Sequence, residues 1–287
     1  MNTRALLLAV TLAATTLPAA AQDAAFSSKV EAVRVDVLVS ERDKGAPVLG
    51  LQPSDFEILD NGVPQQVDLV SFEQIPLNVI LAFDTSESVA GDRLDRLRNA
   101  SAGLLAALTK DDQAGLVTFT ERVVLGSGLT KDLDAVRRAM TPIRNPDETA
   151  IVDAVYAGIM LGESDVGRGL LIVFSDGMDT ASWLTPVLVL DTARRSDIVV
   201  YAVSAQSRLR PEFLHDLTSA TGGRLYEVEK TANLEAVFLS VLEEFRHRYL
   251  VSYTPRGVDA GGWHRLDVSI KGRKASVKAR PGYLAGS

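Results

Sequence analysis

Cysteine is absent from this 287-residue chain. Its absence excludes disulfide bonds, thiolate metal sites and a cysteine nucleophile. Histidine occurs only at His215, His247 and His264, without the HExxH spacing of a zinc site. Positive charge is also scarce: 30 Lys and Arg face 37 Asp and Glu, which leaves a net charge of -7. Because a general nucleic-acid binder needs a positive surface for the phosphates, we expect no nucleic-acid partner.

Long apolar runs are also missing. The N-terminal run at 5–14 (ALLLAVTLAA) is well short of the roughly 20 residues that span a bilayer. Arg4 precedes it, and Pro18 and three alanines follow it, which is typical of a secretory signal peptide. We therefore expect residues 1–21 to be removed and the mature chain to be exported, periplasmic or extracellular, with no transmembrane segment. The alternative is an uncleaved N-terminal anchor.

Residues 22–75 have the alternating pattern of β-strands. Valines at every second position from 33 to 39 predict a strand with one buried face. Farther along, Phe56 and Ile58 precede Asn61-Gly62, a pair that favours a tight hairpin turn. The apolar residues at 67, 69 and 70 are then predicted to form the returning strand. This N-terminal segment is therefore predicted to be β-rich.

Residues 76–247 alternate short apolar runs with stretches of helical period. The predicted strands are NVILAF at 78–83, AGLVTF at 114–119, LLIVF at 170–174 and IVVYAV at 198–203. Helices are predicted near 131–141, 149–162, 186–195, 211–220 and 231–247. Continuously apolar strands need cover on both faces, which helices on the two sides of a parallel sheet provide. The fold class is therefore α/β, with a doubly wound, mostly parallel, Rossmann-like sheet.

Residues 248–287 return to a period of two, so a second β-rich segment ends the chain. Each β segment alone is too small to be a stable folding unit. We therefore expect the two to pair into one small β-sandwich, with the α/β domain of residues 76–247 inserted between them.

Oxygen-bearing side chains cluster where the predicted parallel strands end. Asp84, Ser86 and Ser88 follow the first strand, Asp176 follows LLIVF, and Thr149 opens a predicted helix. Ligands of open α/β sheets bind at this edge, and hydroxyls and carboxylates suit Mg²⁺. Two carboxylates only neutralise a divalent ion, so the metal would accept an Asp or Glu from a partner protein. Taken singly, Ser88 or Thr149 has the simpler explanation of a helix N-cap.

The ordered set of Asp84-x-Ser86-x-Ser88, Thr149 in ETAIVDA and Asp176 in VFSDGMD resembles the metal-ion-dependent adhesion site of the von Willebrand factor type A domain. The resemblance covers about residues 76–245. It implies a bridging Mg²⁺ or Mn²⁺ that binds protein ligands. Ser86, Ser88 and Thr149 would be direct ligands, and Asp84 and Asp176 would act largely through water. Thr141 is the alternative threonine.

The flanking stretches GLQPSDFEILDNGVPQQV and ARPGYL are similar to a group of exported bacterial von Willebrand factor A-related proteins. That likeness supports the inserted arrangement and names no partner. Between the ligand positions and the next helix, Trp183 has two interpretations, an exposed aromatic anchor beside the site or a buried packing residue.

Two other functions remain open at this point. One is a structural domain whose metal site is empty. The other is a magnesium-dependent phosphatase similar to haloacid dehalogenases, although position 86 is Ser where that family's DxDx[TV] pattern has its second Asp, and no lysine lies near Asp176. Gly126-Ser127-Gly128 lacks the GxSxG spacing of a hydrolase nucleophile and is interpreted as a hairpin turn. We therefore expect a binding protein and no enzyme.

Overall fold

The computed structural model describes residues 32–43, 45–72, 75–89, 91–140, 148–163, 166–175, 178–205, 211–228 and 233–286. The predicted signal peptide lies outside these residues. In the described part, the strands in chain order are β1 (Val33–Glu41), β2 (Phe56–Asp60), β3 (Val63–Gln65), β4 (Val67–Ser71), β5 (Leu77–Asp84), β6 (Gln113–Phe119), β7 (Val123–Thr130), β8 (Arg168–Ser175), β9 (Val199–Ala205), β10 (Leu225–Val228), β11 (Arg248–Tyr253), β12 (Gly262–Ile270), β13 (Ala275–Lys278) and β14 (Gly282–Ala285). The helices are α1 (Asp92–Ala106), α2 (Leu133–Ala139), α3 (Ile151–Gly162), α4 (Pro186–Arg195), α5 (Glu212–Ala220) and α6 (Leu234–Arg246).

A six-stranded sheet forms the centre of the α/β domain, in the order β10-β9-β8-β5-β6-β7. All neighbouring strands in it are parallel except β6 and β7. Every residue of β5 and β9 is buried, because helices cover both faces of the sheet. One apolar core joins the sheet to α1, α2 and α6, and the other joins it to α3, α4 and α5. The predicted doubly wound α/β fold is confirmed.

The edge strand β7 corrects one expectation. Gly126-Ser127-Gly128 was expected to be a hairpin turn, but it lies inside β7, which pairs antiparallel with β6. The register between the two strands shifts twice, at Ala114/Leu116 and at Leu116/Val117. A Cβ at residue 126 would approach Leu116 within 3.0 Å, so glycine permits the close pairing there.

The two β-rich segments form two four-stranded sheets, β13-β1-β11-β4 and β14-β12-β2-β3. Each sheet takes two strands from the N-terminal segment and two from the C-terminal segment. Their inner faces share one apolar core, which includes Val37, Ile58, Tyr249 and Val251. The expected β-sandwich built from both ends of the chain is therefore present.

The hairpin prediction was partly wrong. Asn61 and Gly62 do form the turn, with φ values of 47° and 81°. The strand that returns is β3, which pairs with β2, whereas the predicted partner at 67–70 belongs to β4 in the other sheet, where it pairs with β11. The alternation of apolar residues does not show that the chain passes to the other sheet after the three residues of β3.

Among the described residues, no helix is both long and apolar enough to cross a bilayer.

Candidate metal centre

Asp84 is the last residue of β5, the strand at which the chain order of the parallel sheet reverses. Its neighbours are β6 on one side and β8 on the other, and its side chain is buried. The Ser175 hydroxyl donates to Oδ2 at 2.7 Å, and the Ser86 amide donates to Oδ1 at 2.9 Å. These two hydrogen bonds fix the plane of the carboxylate at the switch point, where open α/β sheets bind their ligands.

The chain turns sharply after Asp84. The Thr85 amide donates to the carbonyl of Phe119, at the end of β6, over 2.9 Å. Ser86 is buried, and its carbonyl accepts from the Val89 amide in the 3₁₀ turn Glu87–Val89. Ser88 lies within that turn, and its side chain is outside the described part of the structure. Ser86 is therefore held just beyond the end of β5 by hydrogen bonds of both its amide and its carbonyl.

Thr149 lies at the same edge of the sheet. The amide of the following residue, Ala150, donates to the Thr120 carbonyl just beyond β6, at 2.7 Å. Thr149 is buried, and the N-cap of α3 is Ala150. Helix capping therefore does not explain the threonine at this position.

A loop after β8 holds Thr149 in place. The Thr149 amide donates to Thr180 Oγ1 at 2.9 Å, and the amides of Thr180 and Ala181 donate to the Thr149 carbonyl at 2.8 and 3.2 Å. In the same loop, Asp179 Oδ1 accepts from the Val152 amide at 3.3 Å, which caps the first turn of α3. Asp179 is therefore a helix-capping residue of α3.

Three of the five candidate ligands are thus described, and all three lie buried at one edge of the sheet: Asp84, Ser86 and Thr149. Asp176 directly follows Ser175 and lies outside the described residues, as does the alternative Thr141. Within the described part, no group of three Asp, Glu, His or Cys side chains could hold a metal. A metal here would instead rely on hydroxyl and carboxylate oxygens, which are the hard ligands that Mg²⁺ and Mn²⁺ prefer.

The hydrogen bonds of the Asp84 carboxylate are consistent with the role that the resemblance implies, a ligand that acts through water. Both of its oxygens already accept hydrogen bonds from protein donors, which suits a carboxylate that reaches a metal through water. Sequence reasoning missed Ser175, which orients that carboxylate. Its only signal is its place at the end of the apolar run of β8, directly before Asp176.

The doubly wound sheet has an oriented carboxylate at its switch point, which is where α/β domains of this class bind their ligands. The family model of the von Willebrand factor type A domain matches residues 78–239, and the chain belongs to this family. Domains of this family are generally adhesion modules that mediate protein–protein interactions.

Solved structures show the same fold at low sequence identity. Proximal thread matrix protein 1 from the mussel byssus, in a form with a zinc-occupied metal-ion-dependent adhesion site, has a TM-score of 0.56 at 15% identity, over 65% of this chain and 49% of that one. The von Willebrand factor domain of the type V pili tip protein Mfa5 from Porphyromonas gingivalis has a TM-score of 0.50 at 12% identity, over 60% and 95%.

Inter-alpha-trypsin inhibitor heavy chain H4 of Bos taurus is 23% identical over 230 residues, which are 73% of this chain and 25% of that protein. The chain spans about a quarter of the length of the curated relatives that it matches.

Proposed function

We propose that this chain is an exported, non-enzymatic binding protein that holds Mg²⁺ or Mn²⁺ at Asp84, Ser86, Ser88, Thr149 and Asp176, and that this ion binds an acidic side chain of a partner protein. The predicted signal peptide of residues 1–21 supports export to the periplasm or beyond. Family membership supports a binding role, and a zinc-occupied site in a protein of the same fold supports a divalent ion.

The observation that carries the proposal is the buried, oriented carboxylate of Asp84. Burying a carboxylate is costly unless hydrogen bonds or positive charge compensate it. The Ser175 hydroxyl and the Ser86 amide donate to the Asp84 carboxylate at the edge of the sheet where Ser86 and Thr149 are also buried. This arrangement is suited to hold the water shell of a cation.

The donor set also favours binding over catalysis. Hydroxyl oxygens are neutral ligands, so two carboxylates would leave the bound ion with no excess negative charge around it. Such an ion attracts a further anionic oxygen, which an Asp or Glu of a partner protein can supply. Position 86 carries a serine hydroxyl, which cannot act as the acid–base carboxylate of a phosphatase.

The first prediction concerns metal-dependent stability. With Mg²⁺ or Mn²⁺ at a hundred times its dissociation constant, the free energy of unfolding should rise by about 2.7 kcal/mol over that in EDTA. For a domain of this size, the melting temperature should rise by about 5 to 10 °C. Asp84→Asn and Ser86→Ala should each abolish the increase, because the first removes the charge that holds the ion through water and the second removes a proposed direct ligand, while both nearly keep the side-chain shape. Differential scanning calorimetry measures both effects.

Asp92→Asn is the matched control, because Asp92 is an exposed carboxylate at the start of α1, close in sequence to the proposed ligands. This variant should keep the full metal-dependent increase. An unmodified protein that melts at the same temperature in EDTA, Mg²⁺ and Mn²⁺ would overturn the proposal. Magnesium-dependent hydrolysis of an aryl phosphate, lost in Asp84→Asn, would favour the phosphatase alternative instead.

A further inference from the structure

Trp183 is the most exposed large apolar side chain in the described part of the chain. Its relative accessibility is 93%, and no other large apolar residue that the structure describes exceeds 68%. Met178, Val187 and Leu188 are also exposed, so four such residues fall within eleven positions of the chain. We call these four residues the Trp183 surface. Large exposed apolar groups that are concentrated in one place mark interaction sites.

The backbone that carries Trp183 is fixed. Asp153, in the first turn of α3, accepts hydrogen bonds from the amides of Trp183 at 3.0 Å and Leu184 at 2.9 Å. Ser182 Oγ accepts from the Asp153 amide at 3.1 Å, and its hydroxyl donates to Asp179. The backbone of Trp183 is thus already ordered before a partner binds. This lowers the entropic cost of binding at the indole.

The same loop contacts the candidate metal centre. Thr180 and Ala181 make the three backbone-directed hydrogen bonds that hold Thr149, a proposed ligand. Trp183 follows two residues after Ala181. The exposed indole is therefore carried by the same loop that contacts a proposed ligand, so one partner can contact both.

The charges at this edge indicate what else the partner carries. Glu87, Glu148 and Asp179 are exposed beside the proposed ligands. In the described parts of the loops at this edge, Arg122 is an exposed basic side chain, and it lies 3.4 Å from the neighbouring glutamate. A second carboxylate beside the one at the metal would be repelled by the acidic residues, whereas an apolar side chain would gain contact with the indole.

We propose that the partner presents a polypeptide segment in which one Asp or Glu has a large apolar residue as a near neighbour. The carboxylate binds at the metal, and the apolar side chain packs on the Trp183 surface. This inference rests on the proposed function and adds the class of segment that the site selects.

The test uses synthetic peptides as probes and Trp183 as the reporter. The chain has two tryptophans, so Trp263→Phe leaves Trp183 as the only one. The peptides have a Gly-Ser background and one Glu, with Phe placed one to three positions before or after it. Matched peptides replace Phe with Ala, or Glu with Gln. Fluorescence titrations in Mg²⁺ and in EDTA give the dissociation constants.

At least one Phe-Glu peptide should bind about tenfold more tightly than its Ala-Glu match, and should shift the Trp183 emission to shorter wavelength. Removing Mg²⁺ or replacing Glu with Gln should abolish this binding. In calorimetric titrations, Trp183→Ala should reduce the affinity for the Phe-Glu peptide to that for the Ala-Glu peptide. Leu69→Ala, which removes an exposed apolar side chain from the sandwich, should change neither affinity.

Two results would overturn this inference while the metal-dependent stabilisation remains intact. One is equal affinity for every Phe-Glu peptide and its Ala-Glu match, or an affinity that Trp183→Ala leaves unchanged. The other is a dimer in sedimentation experiments that Trp183→Ala converts to a monomer, which would assign the surface to a second copy of the chain. Loss of the metal-dependent stabilisation in the unmodified protein would overturn the proposed function, and this inference with it.

Discussion

Ser175 is a residue outside the motif that contacts one of the proposed ligands. Its hydroxyl donates to Asp84 Oδ2 at 2.7 Å from the neighbouring strand β8. Asp84 and Ser86 could be named as candidate ligands from their residue types and spacing after an apolar run, and that assignment stays a prediction. Ser175 could not be named in this way, because its function depends on the parallel register of β5 and β8, which places the ends of the two strands side by side.

The second prediction concerns this positioning role. Ser175→Ala should weaken Mg²⁺ binding about 10- to 100-fold, because the Asp84 carboxylate loses the donor that orients it. The free energy of unfolding in EDTA should fall by about 2 kcal/mol, the usual contribution of a buried hydrogen bond to a charged group. Isothermal titration calorimetry and urea unfolding measure the two effects separately. Ser196→Ala removes another buried serine hydroxyl, bonded to Ala193, and should leave the metal affinity unchanged. Equal affinity in Ser175→Ala and the unmodified protein would contradict the role.

At the scale of elements, the bounds of a helix could be predicted where the sequence contains residues that favour its first or last turn. Helix α4 begins and ends at the predicted 186 and 195, since Thr185 caps its first turn and Pro186 occupies the first helical position. The edge strand β7 and the sheet change between β3 and β4 were not predicted. Both depend on pairing with distant strands, and β7 is interrupted by glycines and by two shifts in register.

Asp112 connects the start of β5 and the end of α6 to the turn that precedes β6. Its carboxylate accepts from the Leu77 amide at the start of β5 at 2.8 Å, from the Thr109 amide at 2.7 Å, and from Arg246 in the last turn of α6 at 2.8 Å. Burial alone would raise the pKa of Asp112, but these hydrogen bonds outweigh it and hold the pKa below its ordinary value.

The third prediction follows from that lowered pKa. A carboxyl whose pKa is lower in the folded state stabilises the fold above its unfolded-state pKa of about 4, and this contribution is lost as the pH falls through the folded-state pKa. Asp112→Asn should therefore cost about 2 kcal/mol at pH 7 and less at pH 3. Urea unfolding at pH 7, 5, 4 and 3 measures the difference. Asp111→Asn, at the exposed neighbour, should follow the unmodified protein at every pH. A cost for Asp112→Asn that is the same at pH 7 and pH 3 would contradict the assignment.

At the scale of the whole molecule, the inserted arrangement could be predicted because neither β segment is large enough to fold alone. The contacts that join the sandwich to the α/β domain could not. Asp36 lies on β1 among alternating valines, where sequence alone predicts a solvent-facing position. In the structure it is buried against Arg168, the first residue of β8. Arg248 makes a second connection: it is buried and donates to Tyr201 at 2.9 Å and to the Asp36 carbonyl at 3.3 Å.

The fourth prediction tests whether the Asp36–Arg168 pair couples the two parts of the fold. Arg168 Nε donates to Asp36 Oδ1 at 2.8 Å, the two side chains are 4% and 6% exposed, and the guanidinium lies 4.6 Å from the centre of the Phe245 ring. Removing one partner leaves a buried charge uncompensated, so Asp36→Leu and Arg168→Met should each cost about 3 to 5 kcal/mol in urea unfolding.

The double variant decides what the pair contributes. With both charges removed, apolar side chains fill the same space, so the double variant should recover most of that loss, and the coupling energy should exceed about 1 kcal/mol. Arg34→Met, which removes an exposed ion pair with Asp197 at the same boundary, should cost less than about 1 kcal/mol. If the losses in free energy of unfolding of the two single variants simply add in the double variant, each residue acts through separate contacts. The coupling of β1 to β8 would then depend on Arg248 and the surrounding apolar packing.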